Sequence, residues 1–182
     1  MKSWQSIFVG SAMSFPLLVP IADAQTGAAT NAPSEAARCE KILPLKTLNS
    51  EAGAGFKTEF AYDRDPGEIE CGWTRLEADG NKTLLIVMYR DKQGIAGRAK
   101  RFQQGRTVEE MWEVDVRETE VSQESKRQTV ASLGKLAAVV PLPKTRLGAR
   151  TFVLRENDWL MLTTSGLSTA EITKVAKSLA AP

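Results

Sequence analysis

The chain contains no histidine. That absence removes the Ser-His-Asp and Cys-His arrangements of nucleophilic catalysis and the commonest zinc sites, all of which use an imidazole. Cysteine is nearly as scarce, with two among 182 residues, Cys39 and Cys71. An excess of either charge is also missing: 24 Lys and Arg stand against 22 Asp and Glu, a formal net charge of +2, whereas strong nucleic-acid and membrane-surface binders carry a clear basic surplus. There is no G-x-G-x-x-G, no P-loop and no basic-aromatic pattern of the RNA-binding kind. Neither a nucleic-acid partner nor a bound cofactor is therefore expected. Beyond residue 24 no apolar run approaches the roughly 20 residues that a membrane-spanning helix needs.

What is present begins with a leader. Lys2 precedes an apolar run from Ile7 to Ile21, interrupted by Gly10, Ser11 and Ser14 and followed by Ala22-Asp23-Ala24. A short run of this kind with small residues at Ala22 and Ala24 reads as a secretory signal peptide over residues 1–24, cleaved after Ala24. Pro16 and Pro20 weaken the competing reading as a membrane anchor. The product is expected in the periplasm or outside the cell, with no transmembrane anchor once the leader is gone. Subtracting 24 from 182 leaves 158 residues, enough for one domain with a real hydrophobic core. In an exported protein an even cysteine count favours a disulfide. A Cys39–Cys71 bond would close a loop of about 33 residues, contributing on the order of 3 to 4 kcal/mol on the chain-entropy account.

Residues 25–33 show no apolar periodicity and read as a disordered leader into a single α+β domain over residues 34–182. Ser34 is placed to cap a helix that runs to Leu43 and is ended or kinked by Pro44. Three strands follow, at Phe56 to Tyr62, Ile69 to Glu77 and Lys82 to Tyr89, with Asp63-Arg64-Asp65-Pro66-Gly67 and Asp79-Gly80-Asn81 as turns. Leu84, Ile86 and Met88 alternate with Leu85, Val87 and Tyr89, which predicts a central strand covered on both faces. Gly94 to about Gly105 reads as a helix with Ile95, Ala99 and Phe102 on one face. Thr107 to Gln128 carries mixed signals, helical at Val108, Met111 and Trp112 and strand-like at Val114 and Val116, and its type stays open. Leu136 to Val140 is expected as a buried strand, and Arg150 to Glu156 with Trp159 to Thr164 as a hairpin turning on the positive backbone angles of Asn157-Asp158. Ser168-Thr169-Ala170-Glu171 is a capping box, and Ile172, Val175, Ala176 and Leu179 give the last helix its apolar stripe. Grouped strands with few helices predict an α+β fold, an antiparallel sheet of about five to six strands packed against helices.

Candidate chemistry is sparse. Ser132-Leu133-Gly134-Lys135 has the S-x-x-K spacing that places an amine one helical turn from a serine hydroxyl, but Gly134 is poor inside the helix this requires and a loop explains the same residues. Glu109, Glu110, Glu113, Asp115, Glu118, Glu120 and Glu124 read as a solvated acidic surface in preference to a glycosidase pair. Proline breaks the calcium-loop pattern that Asp63 and Asp65 begin, so no metal site is expected. Charge is segregated into a basic block from Lys82 to Arg106, an acidic one from Glu109 to Glu124, and a basic one again from Lys126 to Arg155. Either the blocks neutralise one another across the fold or they present a patch to an anionic partner, for which Arg98, Lys100 and Arg101 are the candidates. Trp73 and Trp159 read as core, and Trp112, in the acidic stretch, is the candidate exposed aromatic.

Cys39 on its helix, the Cys71-Gly72-Trp73 strand, the Ser132 to Val140 segment and the closing strand-strand-helix together resemble short exported bacterial domains of unknown function, many of them small lipoproteins. The resemblance implies a compact α+β fold with a disulfide and nothing catalytic, and this chain lacks the lipid-attachment cysteine of the lipoprotein members. The expected function is a non-enzymatic exported module that binds an envelope or secreted protein or an anionic ligand. The alternatives are a cell-envelope hydrolase using carboxylates or Ser132 with Lys135, and a secreted inhibitor or virulence-associated factor.

Overall fold

The computed structural model describes residues 32–102 and 105–179. The expected signal peptide lies outside these residues, as do positions 25–31 of the leader segment. Ala32 and Pro33, expected to be disordered, instead open the first helix, α1 (Ala32–Ile42), so that Ser34 lies within it and does not precede it. Pro44 cannot continue that helix, since it has no N–H to give and its ring crowds the preceding turn. The chain restarts as α2 (Leu45–Ala52), and the Glu40 carboxylate accepts the Leu45 N–H at 3.1 Å.

Strands β1 (Lys57–Asp65), β2 (Glu68–Leu76) and β3 (Lys82–Arg90) form a meander. Its first turn is as tight as Pro66-Gly67 allows, with Asp65 paired to Glu68 and Gly67 at φ 78°, a conformation that favours glycine. After α3 (Lys92–Phe102) and α4 (Val108–Gln123), a second meander comprises β4 (Gln128–Thr129), β5 (Leu136–Pro141), β6 (Ala149–Leu154) and β7 (Trp159–Ser165), and α5 (Thr169–Ser178) closes the chain. The seven strands make one antiparallel sheet in the order β1-β2-β3-β7-β6-β5-β4. The strand beyond the expected six is β4, which starts at Gln128, the last residue of the stretch whose type was open. The β6–β7 turn differs from the expectation: Leu154 pairs with Trp159 across the four residues Arg155 to Asp158. Neither Asn157 nor Asp158 has a positive φ. Asp158 is buried instead and accepts from Arg155 Nε at 2.7 Å.

Side-chain alternation divides the core between the two faces. On the first, Ile69, Cys71 and Trp73 of β2, Leu85, Val87 and Tyr89 of β3, and Leu160 and Leu162 of β7 are buried beneath α1, α2 and α5. The α5 end is fixed as expected: Ser168 and Glu171 form the capping box, and Ile172, Val175, Ala176 and Leu179 are buried. On the second face, Ala138 and Val140 of β5, Phe152 and Leu154 of β6, and Trp159 of β7 pack under α3 and α4. The two halves share an order of elements but not a layer arrangement, because the helices preceding β1 lie on the first face and α4, preceding β5, lies on the second.

Cys39 and Cys71 form the expected disulfide, with Cα atoms 5.8 Å apart, and tie α1 to β2 directly beside the fully buried Trp73. Replacing both cysteines by serine should lower the unfolding free energy by about 3 to 4 kcal/mol, the loop-closure entropy returned to the unfolded chain. Urea titration of the mature protein against the Cys39→Ser/Cys71→Ser variant measures this, and a difference below about 1 kcal/mol would show that the bond does not act on the unfolded state in this way.

Candidate functional site

The helices cover most of the first sheet face and only part of the second. Helix α4 begins with a complete capping box, Thr107 Oγ1 accepting the Glu110 N–H at 3.2 Å and Glu110 accepting the Thr107 N–H at 2.8 Å. Its buried side chains Met111, Trp112, Val116 and Thr119 recur at helical spacing and set it over β5 and β6. Helix α3 leaves the end of β3 through a turn in which Asp91 Oδ1 accepts the N–H groups of Gln93 and Gly94 at 2.8 and 3.0 Å, and it packs against α4. Together they roof the β5–β7 half. Among the described residues α3 meets the sheet at β3, and no helix packs on the same face of β1 or β2.

The β1–β3 half is apolar at its centre, with Glu70 and Thr74 of β2 and Thr163 and Ser165 of β7 beside it. Leu84, Ile86 and Met88 of β3 and Met161 of β7 form its floor and are half-buried. The expected double covering of β3 therefore holds only for its Leu85, Val87 and Tyr89 side. Towards the sheet edge the Phe60 ring lies across Gly72, where any Cβ would collide with it, and Tyr62 stacks on Phe60 at 5.1 Å with 53% of its surface exposed. Glycine at position 72 is what lets an aromatic lie flat on the sheet.

A cavity of about 440 Å³ occupies the corner where this floor meets the α4 wall, with Arg90, Arg98, Asp115, Arg150, Phe152 and Met161 among its lining residues. Two of the three arginines are committed to the scaffold. Arg90 pairs with Glu68 at 2.5 Å and Arg98 with Asp115 at 2.5 Å. Their guanidinium carbons lie over the Trp159 ring at 5.2 and 5.6 Å. Arg150 is different: half-buried, it donates Nε to Thr163 Oγ1 at 3.1 Å and has no carboxylate in a salt bridge among the described residues. Burial pushes its pKa down, partly offset by the field of Asp115, and burial pushes the Asp115 carboxyl up in spite of Arg98. A hydrogen bond to a neutral hydroxyl contributes about 1 kcal/mol and one to a carboxylate about 1.5 to 3, so an incoming carboxylate offers Arg150 more than Thr163 does.

The residues singled out in the sequence fall elsewhere. Arg98 turns inward as described, Arg101 pairs with Asp65 of β1 at 2.6 Å, and Lys100 is exposed on α3. Trp112 is not the exposed aromatic it was expected to be: it is 4% exposed, on the buried stripe of α4. Ser132 sits in a loop at φ 68°, so the helical turn needed to bring Lys135 to its hydroxyl is absent, and Lys135 instead pairs with Glu109. Nor is the acidic stretch simply solvated. Arg127 bridges Glu113 and Glu120, Lys144 meets Glu124 at 2.5 Å, and with Arg98–Asp115 and Lys135–Glu109 the alternating charge blocks pair across the fold. Arg150 was legible in principle, as a cation in register with Phe152 and Leu154 on the apolar side of a strand.

The class so defined is an α+β protein with a seven-stranded antiparallel sheet, largely covered on one face and open over half of the other. No family model, no curated protein and no solved structure matches the chain. Among the described residues there is no group of His, Cys, Asp and Glu placed to hold a metal ion, and no helix is long and apolar enough to cross a membrane.

Two measurements check this site. Trp112→Ala should cost about 3 to 5 kcal/mol of stability, as for a buried tryptophan, where an exposed one would cost less than about 0.5. Asp115, with its pKa raised in the folded state, binds its proton more tightly there, so its contribution is fullest below the unfolded pKa and is lost as pH rises through the folded one. The stability of the native chain relative to Asp115→Asn should accordingly fall as the pH rises above about 4, the ordinary aspartate value, opposite in slope to an ordinary salt-bridged carboxylate.

Proposed function

We propose that this chain is an exported, non-enzymatic binding module that docks an envelope or secreted protein on the uncovered half of its second sheet face. The observation that carries the reading is the junction of a partly exposed apolar floor, Leu84, Ile86, Met88 and Met161 with the Phe60–Tyr62 stack, with Arg150, a cation lacking a carboxylate partner among the described residues. Contiguous exposed apolar surface with a polar rim is what interaction sites present. The matching partner surface carries apolar side chains around one aspartate or glutamate. Two features support export, the basic-then-apolar leader ending at Ala24 and the Cys39–Cys71 disulfide, a bond that persists in oxidising compartments.

The test is capture of a stoichiometric partner from the exported-protein fraction, followed by affinity measurement with single variants. Met88→Glu and Arg150→Glu should each weaken binding at least about tenfold, while Lys46→Glu, exposed on α2 over the opposite face, should leave it unchanged. Equal binding by all three would overturn the assignment of this face. Turnover of a cell-wall substrate that disappears in Ser132→Ala would overturn the non-enzymatic reading itself.

A further inference from the structure

A second concavity lies on the other side of the α3–α4 roof and uses none of the docking residues. It has a volume of about 370 Å³, enclosed by α3, the start of α4 and the β6–β7 turn. Its walls are apolar: Ala96, Ala99 and Val108 at the surface, with Ile95, Met111 and Leu154 behind them in the second core. Six apolar side chains facing one cavity do not by themselves name a ligand. The rim does.

Four cations and two carboxylates stand around the opening. Lys135 is neutralised by Glu109, and Arg155 is held by Asp158 at 2.7 Å and by the Leu179 carbonyl at 2.8 Å. Lys92 and Arg106 remain, from the two ends of the α3 region, and neither side chain forms an ion pair or hydrogen bond among the described residues. The remaining acid is Glu156, exposed on the β6–β7 turn. The opening thus pairs an apolar interior with two unneutralised cations, and a ligand complementary to it has an apolar body and an anionic head. The size is at the lower end of the range for small-molecule sites, roughly 300 to 1,000 Å³.

From this geometry we infer that the α3–α4 cleft is a binding site for a small amphipathic carboxylate, such as a medium-chain fatty acid, with the chain among Ala96, Ala99 and Val108 and the head at the rim, taken by Lys92 or Arg106. Apolar contact supplies the non-directional attraction, and the two cations orient the ligand with its charge at the mouth. Such a ligand excludes the alcohol of equal length only through the head, so the neutral analogue separates the two contributions.

The experiment is calorimetric titration of the mature chain with decanoate and with 1-decanol, both below their aggregation limits. Decanoate should bind the native chain, at least about tenfold more tightly than 1-decanol. The Lys92→Gln/Arg106→Gln variant should lose that preference and bind the two alike. Ala99→Phe, filling the cavity, should abolish both, with Ala96→Leu at the exposed lip as the milder version should the larger side chain prevent folding. Arg150→Glu should leave decanoate binding unchanged, which separates this site from the docking face. The inference is overturned if decanoate does not bind the native chain, if the charge-removing variant keeps the native preference, or if neither cavity-filling variant weakens binding.

Discussion

The pairing of β3 with β7 is the constraint on which the rest of the molecule depends. Every other neighbouring pair in the sheet is consecutive along the chain and is closed by a local connection, whereas Arg90 meets Trp159 and Leu84 meets Ser165 across the whole of α3, α4 and the second meander. Joining two local meanders at their inner strands produces one broad sheet with two apolar faces. It also places β7 at the centre, so that Leu160 and Leu162 serve the first core and Trp159 and Met161 the second. A one-residue slip at this junction would exchange those sets and bury the wrong face, so the apolar alternation on both strands specifies the register.

A sheet so wide needs more helical cover than this chain supplies. α1, α2 and α5 cover most of the first face, and the disulfide holds α1 in place over β2, where a helix of 11 residues is too short to be stable on its own. α3 and α4 cover only the β5–β7 half of the second. The edges do not offer an alternative docking surface of equal quality: β4 has two residues, and β1 is broken by two register shifts and carries Lys57, Glu59, Asp63, Arg64 and Asp65. Charges and bulges of this kind discourage strand addition. The open face remains as the apolar surface whose exposure the fold does not mask.

Most of this architecture was legible in the residues because each feature rested on local chemistry. The period-2 alternation of β3, the Pro66-Gly67 turn, the Ser168–Glu171 box and the cysteine pair all carry their reason within a few positions. The stretch from Thr107 was undecided because Val114 and Val116 mimic a strand, although Thr107-Val108-Glu109-Glu110 has the same capping-box pattern that identified the last helix. The misjudgement of Trp112 followed from the same source: among acidic neighbours it looks solvent-facing until the helix period puts Met111, Trp112, Val116 and Thr119 on one side. What no local pattern contains is which half of a sheet face a helix will cover, and both candidate sites are consequences of that coverage.

Composition hides the electrostatics for a related reason. A net charge of +2 and long blocks of one sign suggest either indifference or a patch, yet the carboxylates of α4 and its C-cap are met by cations from several segments, Glu109 by Lys135, Asp115 by Arg98, Glu124 by Lys144, and Glu113 and Glu120 together by Arg127. The exposed pairs among these stabilise a fold little, at most about 1 kcal/mol each, but all of them decide which cations stay available. Arg98 and Arg127 are taken up by α4, while Arg150, beside the open sheet face, and Lys92 and Arg106, at the mouth of the cleft, are among the cations with no ion pair among the described residues. The roof formed by α3 and α4 therefore does more than close half a core. It neutralises several of the surrounding cations and leaves Arg150, Lys92 and Arg106 next to apolar surface, and it is this juxtaposition that distinguishes a binding face from an ordinary solvated one.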